Sequence, residues 1–300
     1  MGVFHPGEIA VQTRRGVREG AERVGGIIGG VISPAAGRFL ARQPMAVAAS
    51  LDGSGRPWAS LLTGPPGFLR PVDDRLLRIA ATPVPADVAS NVKARPELGL
   101  LVIDLATRQR ARFNGRGLVN SDGLFLLTDE VYGNCPKYIQ RRRLVADGGE
   151  PAGETRSASS LGPSHRAMIV EADTFFIASW HPEGGADASH RGGRPGFVRV
   201  AGERTLEFPD YPGNNMFNTL GNLAGYPKAG LLFVDFANRD LLQLTGRAQL
   251  VWEPEPAVRV EIDEVRETRG GSPLRFELVE ASPANPPLTV TPPARTASKA

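Results

Sequence analysis

The sequence predicts a mainly β protein in which one unit is present twice in tandem, and three observations carry that prediction. Slid against itself by 129 residues, the chain matches: 45–81 lies without a gap on 174–210, setting Ala49-Ser50 on Ala178-Ser179, Ala59-Ser60 on Ala188-Ser189 and Pro66-Gly67-Phe68 on Pro195-Gly196-Phe197. After two extra residues in the second copy, 91–117 lies on 222–248, with Asn, Pro, Gly-Leu-Leu, Asp and Gly-Arg in step. Next, 35 Gly and 26 Pro beside an ordinary 41% apolar share imply many tight turns between short elements. Finally, TFFIASW, GFVRV, RTLEF, AGLLFVDF and LLQLTGRAQLVW in the second copy are rich in β-branched and aromatic residues and are separated by Gly, Pro or Asn, as strands are.

Taken in order, residues 1–43 read as flanking helices: apolar residues recur at helical spacing from 8 to 43, broken at Ser33-Pro34, where Pro34 suits the first turn of a new helix. Residues 44–145 form the first unit and 166–282 the second. Each runs strand, turn, strand, strand, a short helix (NMFNTLGNLAGY in the second copy), then two more strands. Five or six antiparallel strands with one helix make a small barrel or half-barrel, and without strand–helix–strand alternation a doubly wound fold is disfavoured. Gly53-Ser54-Gly55 reads as a hairpin turn, and EVYGNCPKYIQRRR (130–143) as a compact turn plus short helix. Residues 146–165 are a linker by composition, and 283–300 a disordered tail that cannot pack a core.

Several function classes are excluded. The single Cys135 forms no internal disulfide and builds no metal cluster. A surplus of +3, from 35 basic and 32 acidic residues, is too small and dispersed for nucleic acid. Lacking an apolar run of about 18 residues and a signal peptide, the chain is expected to be cytoplasmic with no membrane partner. His5, His165, His181 and His190 lack metalloprotease spacing, and no catalytic triad or paired carboxylates are evident.

With those residues in view, ADASHRGGRPGFVRV (186–200), RTLEFPDYPGNNMFNTLGNLAGYPKAGLLFVDF (204–236), LLQLTGRAQLVW (241–252) and, outside the repeat, EVYGNCPKYIQRR (130–142) resemble the pyridoxamine 5′-phosphate oxidase-like family of flavin-binding split barrels, in a long, duplicated form. The resemblance implies six-stranded split barrels that bind flavin mononucleotide (FMN) in a groove between two barrels, normally from two chains. Here two tandem units would form an intrachain pseudo-dimer, as a monomer or as a homodimer.

The second copy offers what a flavin phosphate needs. Arg191 and Arg194 put forked donors among Gly192, Gly193 and Gly196, whereas the first copy has Leu62 and Pro65 at those positions. Gly213, Asn214 and Asn215 precede a helix carrying Asn218, Thr219 and Asn222, and helix N-termini attract phosphate. The resemblance adds Ser189, the strand backbone at Phe197, Val198 and Arg199 along the ring, and Gln243 as a polar contact. His190 reads as a loop side chain or a proton donor near the ring, and Cys135 as a packed small hydrophobe or a reactive thiol. The expected function is a flavin-dependent oxidoreductase acting on a small-molecule substrate, with a separate reductase as a further partner. The alternative is a non-catalytic or electron-transfer carrier of FMN, deazaflavin or haem. Residues 259–283 lack the substrate-phosphate pattern of pyridoxamine phosphate oxidase itself.

Overall fold

The computed structural model describes residues 2–81, 85–146 and 153–288. Three helices open the chain: α1 (Pro6–Arg14), α2 (Arg18–Gly25) and α3 (Pro34–Leu40). Pro34 opens α3, and the Ser33 hydroxyl caps it by accepting the Ala36 amide. β1 (Met45–Leu51) and β2 (Pro57–Thr63) form a hairpin whose turn is tied by Asp52, which accepts the Ser54 and Arg56 amides, with Gly55 at φ 75°. The first unit continues through β3 (Leu69–Pro71), β4 (Leu76–Ile79), α4 (Ala86–Ala94), β5 (Glu97–Asp104), β6 (Gln109–Asn120), β7 (Gly123–Gly133) and β8 (Arg141–Ala146). β9 (Thr155–Ala158) leads into the second unit: α5 (Pro163–Glu171), β10 (Thr174–His181), β11 (Gly185–Gly192), β12 (Arg199–Val200), β13 (Thr205–Pro209), α6 (Asn218–Gly225), β14 (Lys228–Val234), β15 (Leu241–Val251), β16 (Ala257–Thr268) and β17 (Arg275–Glu280).

The two sheets share one topology. The first runs β2-β1-β5-β6-β7-β4-β3 and the second β11-β10-β14-β15-β16-β13-β12, the same order strand for strand. Register is copied too: Ala49 faces Ala59 as Ala178 faces Ala188, and the bulge after Asn114 recurs after Thr245. Each sheet encloses its own apolar core, and a third core lies between the units. Along β1, Ala46 and Ala48 face the first unit's core, while Val47 and Ala49 face Phe176, Ala178 and Leu232 across the junction. Such strands, buried on both faces, explain runs that do not alternate with polar residues. The units approach symmetrically: a Cβ on Gly99 would strike the Ala186 carbonyl, and one on Gly230 would strike the Pro57 carbonyl.

Several expectations change. EVYGNCPKYIQRRR holds no helix: β7 ends at Gly133, Pro136 and left-handed Tyr138 (φ 67°) shape a loop, and β8 follows. The segment also belongs to the repeat, because β8 corresponds to β17 and the two pair with each other across the junction. Among the described residues each unit therefore has eight strands rather than five or six, β16 and β17 arising from 257–280. Of GFVRV only Arg199–Val200 is strand, with Phe197 and Val198 buried in the second core. Within 146–165, β9 pairs with β16 and residues 147–152 lie outside the described residues. In the tail span, Asn285 hydrogen-bonds to Gln140, and 289–300 lie outside the described residues.

Candidate functional site

The pseudo-twofold arrangement makes two corresponding junctions, each taking the second hairpin strand and the following helix from one unit and a long strand pair from the other. One joins β11 and α6 to β6 and β7; we term it the arginine groove. The other joins β2 and α4 to β15 and β16; we term it the tryptophan groove.

In the arginine groove, a recess of about 80 Å³ is walled by His190, Arg191, Tyr211 and Asn214 of the second unit and by Arg110, Arg112, Cys135, Lys137 and Tyr138 of the first. Burial, then the neighbouring Arg112 and Arg191 charges, pushes the Arg110 guanidinium down to about 9. Burial lowers Arg191 as well, against the opposing pull of Asp210. These are cations held together with too few carboxylates. Arg110 Nη1 lies 3.0 Å from His190 Nδ1. Burial and then Arg110 hold His190 well below its ordinary value, so the ring is neutral, accepts at Nδ1 and carries its proton on Nε2. That Nε2 is buried without a partner, as is Asn134 Oδ1 in the recess wall. Tyr138 closes one side, donating its hydroxyl to the Pro212 carbonyl at 2.8 Å with its ring 5.3 Å from that of Tyr211.

Behind the recess, Arg112 is committed to protein partners. Burial alone would lower its pKa, but Asp187, whose carboxylate lies 3.3 Å from Nε, raises it. Arg112 also donates to the Ala188 carbonyl, the Tyr132 hydroxyl, Asn218 Oδ1 and Ser189 Oγ. Ser189 in turn donates to Asp187 and accepts from Thr219, both residues being buried. Asn222 donates to Ser179 Oγ. Ahead of α6, Asn215 and Phe217 adopt left-handed backbone (φ 64° and 60°), and Asn214 Oδ1 accepts the Met216 amide. Phe217 at positive φ is strain of the kind found beside binding loops.

The residues singled out in the sequence separate into three places. Arg191 and Asn214 line the recess, with Ser189, Asn218, Thr219 and Asn222 in the hydrogen-bonded layer behind it and Asn215 in the adjoining loop. Arg194 is exposed at the turn before Phe197, Phe197 packs into the second core and also lines the recess, Val198 packs into that core, and Arg199 pairs with Glu207 at 2.6 Å. Gln243 lies in the tryptophan groove, donating to the Ala59 carbonyl and to Ser60 Oγ. Both open residues, His190 and Cys135, line the recess. Sequence reasoning missed Arg110, Arg112, Lys137 and Tyr138. The available signal was the repeat itself, in which Arg110 and Arg112 stand where the second copy has Leu241 and Gln243.

Among the described residues no group of three or more His, Cys, Asp or Glu could hold a metal, and no helix is long and apolar enough to cross a membrane. A family model described as pyridoxamine 5′-phosphate oxidase matches residues 32–127 and 161–291, starting 129 residues apart. No curated protein matches. Similar solved structures include HupZ from Group A Streptococcus (12% identity, 41% of this chain and 98% of that one, TM-score 0.28). Another is a FAD-binding protein from Mesorhizobium loti (11% identity, 39% and 98%, TM-score 0.28). The family match covers both units, so the chain belongs to the pyridoxamine 5′-phosphate oxidase family, with two units of its split-barrel fold in tandem.

Proposed function

We propose that the chain binds one FMN in the arginine groove and that redox chemistry on a small-molecule substrate is carried by that flavin. The observation that carries this reading is the recess itself: Arg110, Arg191 and Lys137 converge with too few carboxylates, and His190 Nε2 is a buried donor with no partner. An unpaired buried donor is costly, and a phosphate oxygen is the partner such a site lacks. The donor set fits a phosphorylated end. A recess of about 80 Å³ takes a phosphate but is well below the ~300–1,000 Å³ of pockets that enclose whole ligands. A neighbouring groove of about 590 Å³ shares Phe197, Pro209 and Tyr211 with it and offers space beyond.

Bound flavin supplies hydride and electron transfer; the chain supplies binding, orientation and charge. Arg191 and Lys137 would hold the phosphate, Arg110 fixes the neutral His190 tautomer so that Nε2–H can donate, and Tyr138 with Tyr211 screens the recess from water. The small recess also favours a second reading, a non-catalytic carrier of a phosphorylated ligand. Denaturing the purified protein and weighing the released chromophore tests the first reading: FMN is expected, and a colourless chain that takes up no added FMN would sink it. Turnover with a chemical reductant then separates enzyme from carrier.

A further inference from the structure

The N-terminal helix lies on the arginine groove alone. α1 crosses α6 so closely that a Cβ on Gly7 would strike the Gly221 carbonyl, whereas α4, the counterpart of α6, packs on β1 and β6. From this seam a chain of side chains runs to the recess. Glu8 Oε1 accepts from Asn218 Nδ2 at 2.6 Å, and Asn218 Oδ1 accepts from Arg112 Nη1 at 2.7 Å. On the same side His5 stacks on His181, ring centroids 3.8 Å apart, and bonds Asn222 at 2.9 Å, while Gln12 donates to the Met216 carbonyl. Arg112 reaches the recess wall, but four of its five N–H groups are taken by Asn218, Ser189, Tyr132 and Ala188, one of the two on Nη1 by Asn218.

We propose that α1 is an intramolecular lid on this site. Docked, it holds Asn218 and, through Asn218, one Nη1 N–H of Arg112; released, it frees the Asn218 amide and that N–H for a ligand larger than the recess now accommodates. The inference rests on the flavin reading and adds its regulation. A nine-residue helix is marginal by itself, so α1 persists through its contacts and can be displaced as a unit. The coupling is reciprocal: whatever loosens α1 raises ligand affinity, and ligand loosens α1 by the same factor.

Gly7→Val in the full chain tests this, because it wedges the seam without touching the recess. Amide exchange over residues 6–14 is expected to quicken at least tenfold and FMN affinity to rise at least threefold. In the wild-type chain, saturating FMN is expected to speed exchange in the same segment. Loosened exchange with unchanged or weakened FMN affinity overturns the lid. If Gly7→Val fails to fold, Glu8→Ala is read by the same two measurements. No FMN uptake by either chain, with α1 demonstrably loosened, overturns the flavin reading and the lid with it, an outcome distinct from uptake that ignores α1.

Discussion

The two grooves share backbone topology and register and differ in chemistry. Where the arginine groove has Asp187, the tryptophan groove has Trp58, fully buried; where the first has Tyr132, the second has Arg266, its guanidinium 3.8 Å from the Trp58 ring centroid. Arg56 ties the indole's surroundings together, bonded to Asp52 at 2.8 Å and Glu264 at 2.7 Å. Arg191 has Leu62 as its counterpart, and Arg112 has Gln243. A small acid in one copy therefore demands a buried arginine, and the cations nearby lack counter-charge. In the other copy an indole fills the space and hydrogen bonds close over it. In a homodimer both grooves must keep one sequence; fusing the copies lets each take its own side chains.

The largest expected effect breaks that comparison at its cations. Replacing both Arg110 and Arg191 by Ala removes the Arg191 contact to the phosphate and the Arg110 bond that aims His190 Nε2–H at it; with a charge-assisted contact worth ~1.5–3 kcal/mol, losing both should lower FMN affinity by two orders of magnitude or more. Leu241→Ala with Leu62→Ala, the matching pair in the tryptophan groove, should leave affinity unchanged, and the wild-type titration should saturate at one FMN per chain. Two equivalents would show that the indole does not close the second groove. Next, Trp58→Ala should lower stability by ~3–5 kcal/mol, the cost of emptying a large buried aromatic site, without altering FMN affinity. Urea unfolding and the same titration read both halves of that statement.

The lid gives the comparison a pH dependence in one groove only. Burial, followed by repulsion from Glu130 and Asp187 and opposed by the bonds from His5 and Asn218, raises Glu8 to about 7 from 4.5. A raised carboxyl pKa favours docking below the free value, and the benefit is lost as pH climbs from about 4.5 to 7, roughly 3 kcal/mol at ~1.4 per pKa unit. His5 acts the other way: burial, then His181, lowers it to about 4, so its contribution is present above 6.5 and is lost as pH falls toward 4. His181 is lowered too, mainly by burial, and adds to the His5 sense. Between about 4.5 and 6.5 the two trends oppose. Glu8→Gln should leave docking that weakens only in acid, and His5→Asn docking that still weakens toward pH 7 but keeps only the His181 share of the weakening in acid, both read by amide exchange in α1. Variants that follow the wild-type curve would sever docking from these groups.

What the sequence disclosed and what it hid divide along one physical line. The repeat, the β1–β2 hairpin and α6 were legible because their signals lie in short stretches: a match without a gap over 45–81, Gly53-Ser54-Gly55, and a stretch, NMFNTLGNLAGY, that a helix fits. β8 and β17 were not, since neither pairs with a strand of its own unit and their ladder forms only across the junction. The site was half legible for the same reason. Sliding one copy over the other reveals which residues correspond but not which copies face each other, so the search stayed in the second copy and overlooked Arg110 and Arg112 across the groove. By the same crossing, Gln243 sits opposite Ser60 of the first unit rather than beside Arg191.

That crossing supplies the smallest and most discriminating test. Gln243 Nε2 donates to the Ala59 carbonyl at 2.9 Å and to Ser60 Oγ at 3.1 Å, and Ser60 donates to Asp87 at 2.6 Å, a network bridging the units within the tryptophan groove. Gln243→Ala removes one bridging donor and should cost ~1 kcal/mol of stability. If the grooves are independent, FMN affinity should not change, although resemblance to flavin-binding relatives points to this very residue as a contact. Arg112→Gln, which writes the tryptophan-groove residue into the arginine groove, should in contrast disturb ligand binding, because it strips the charge from Asp187 and the donors from Ser189 and Asn218 together. An FMN affinity lowered by Gln243→Ala and spared by Arg112→Gln would reverse the assignment and place the ligand in the groove closed by Trp58.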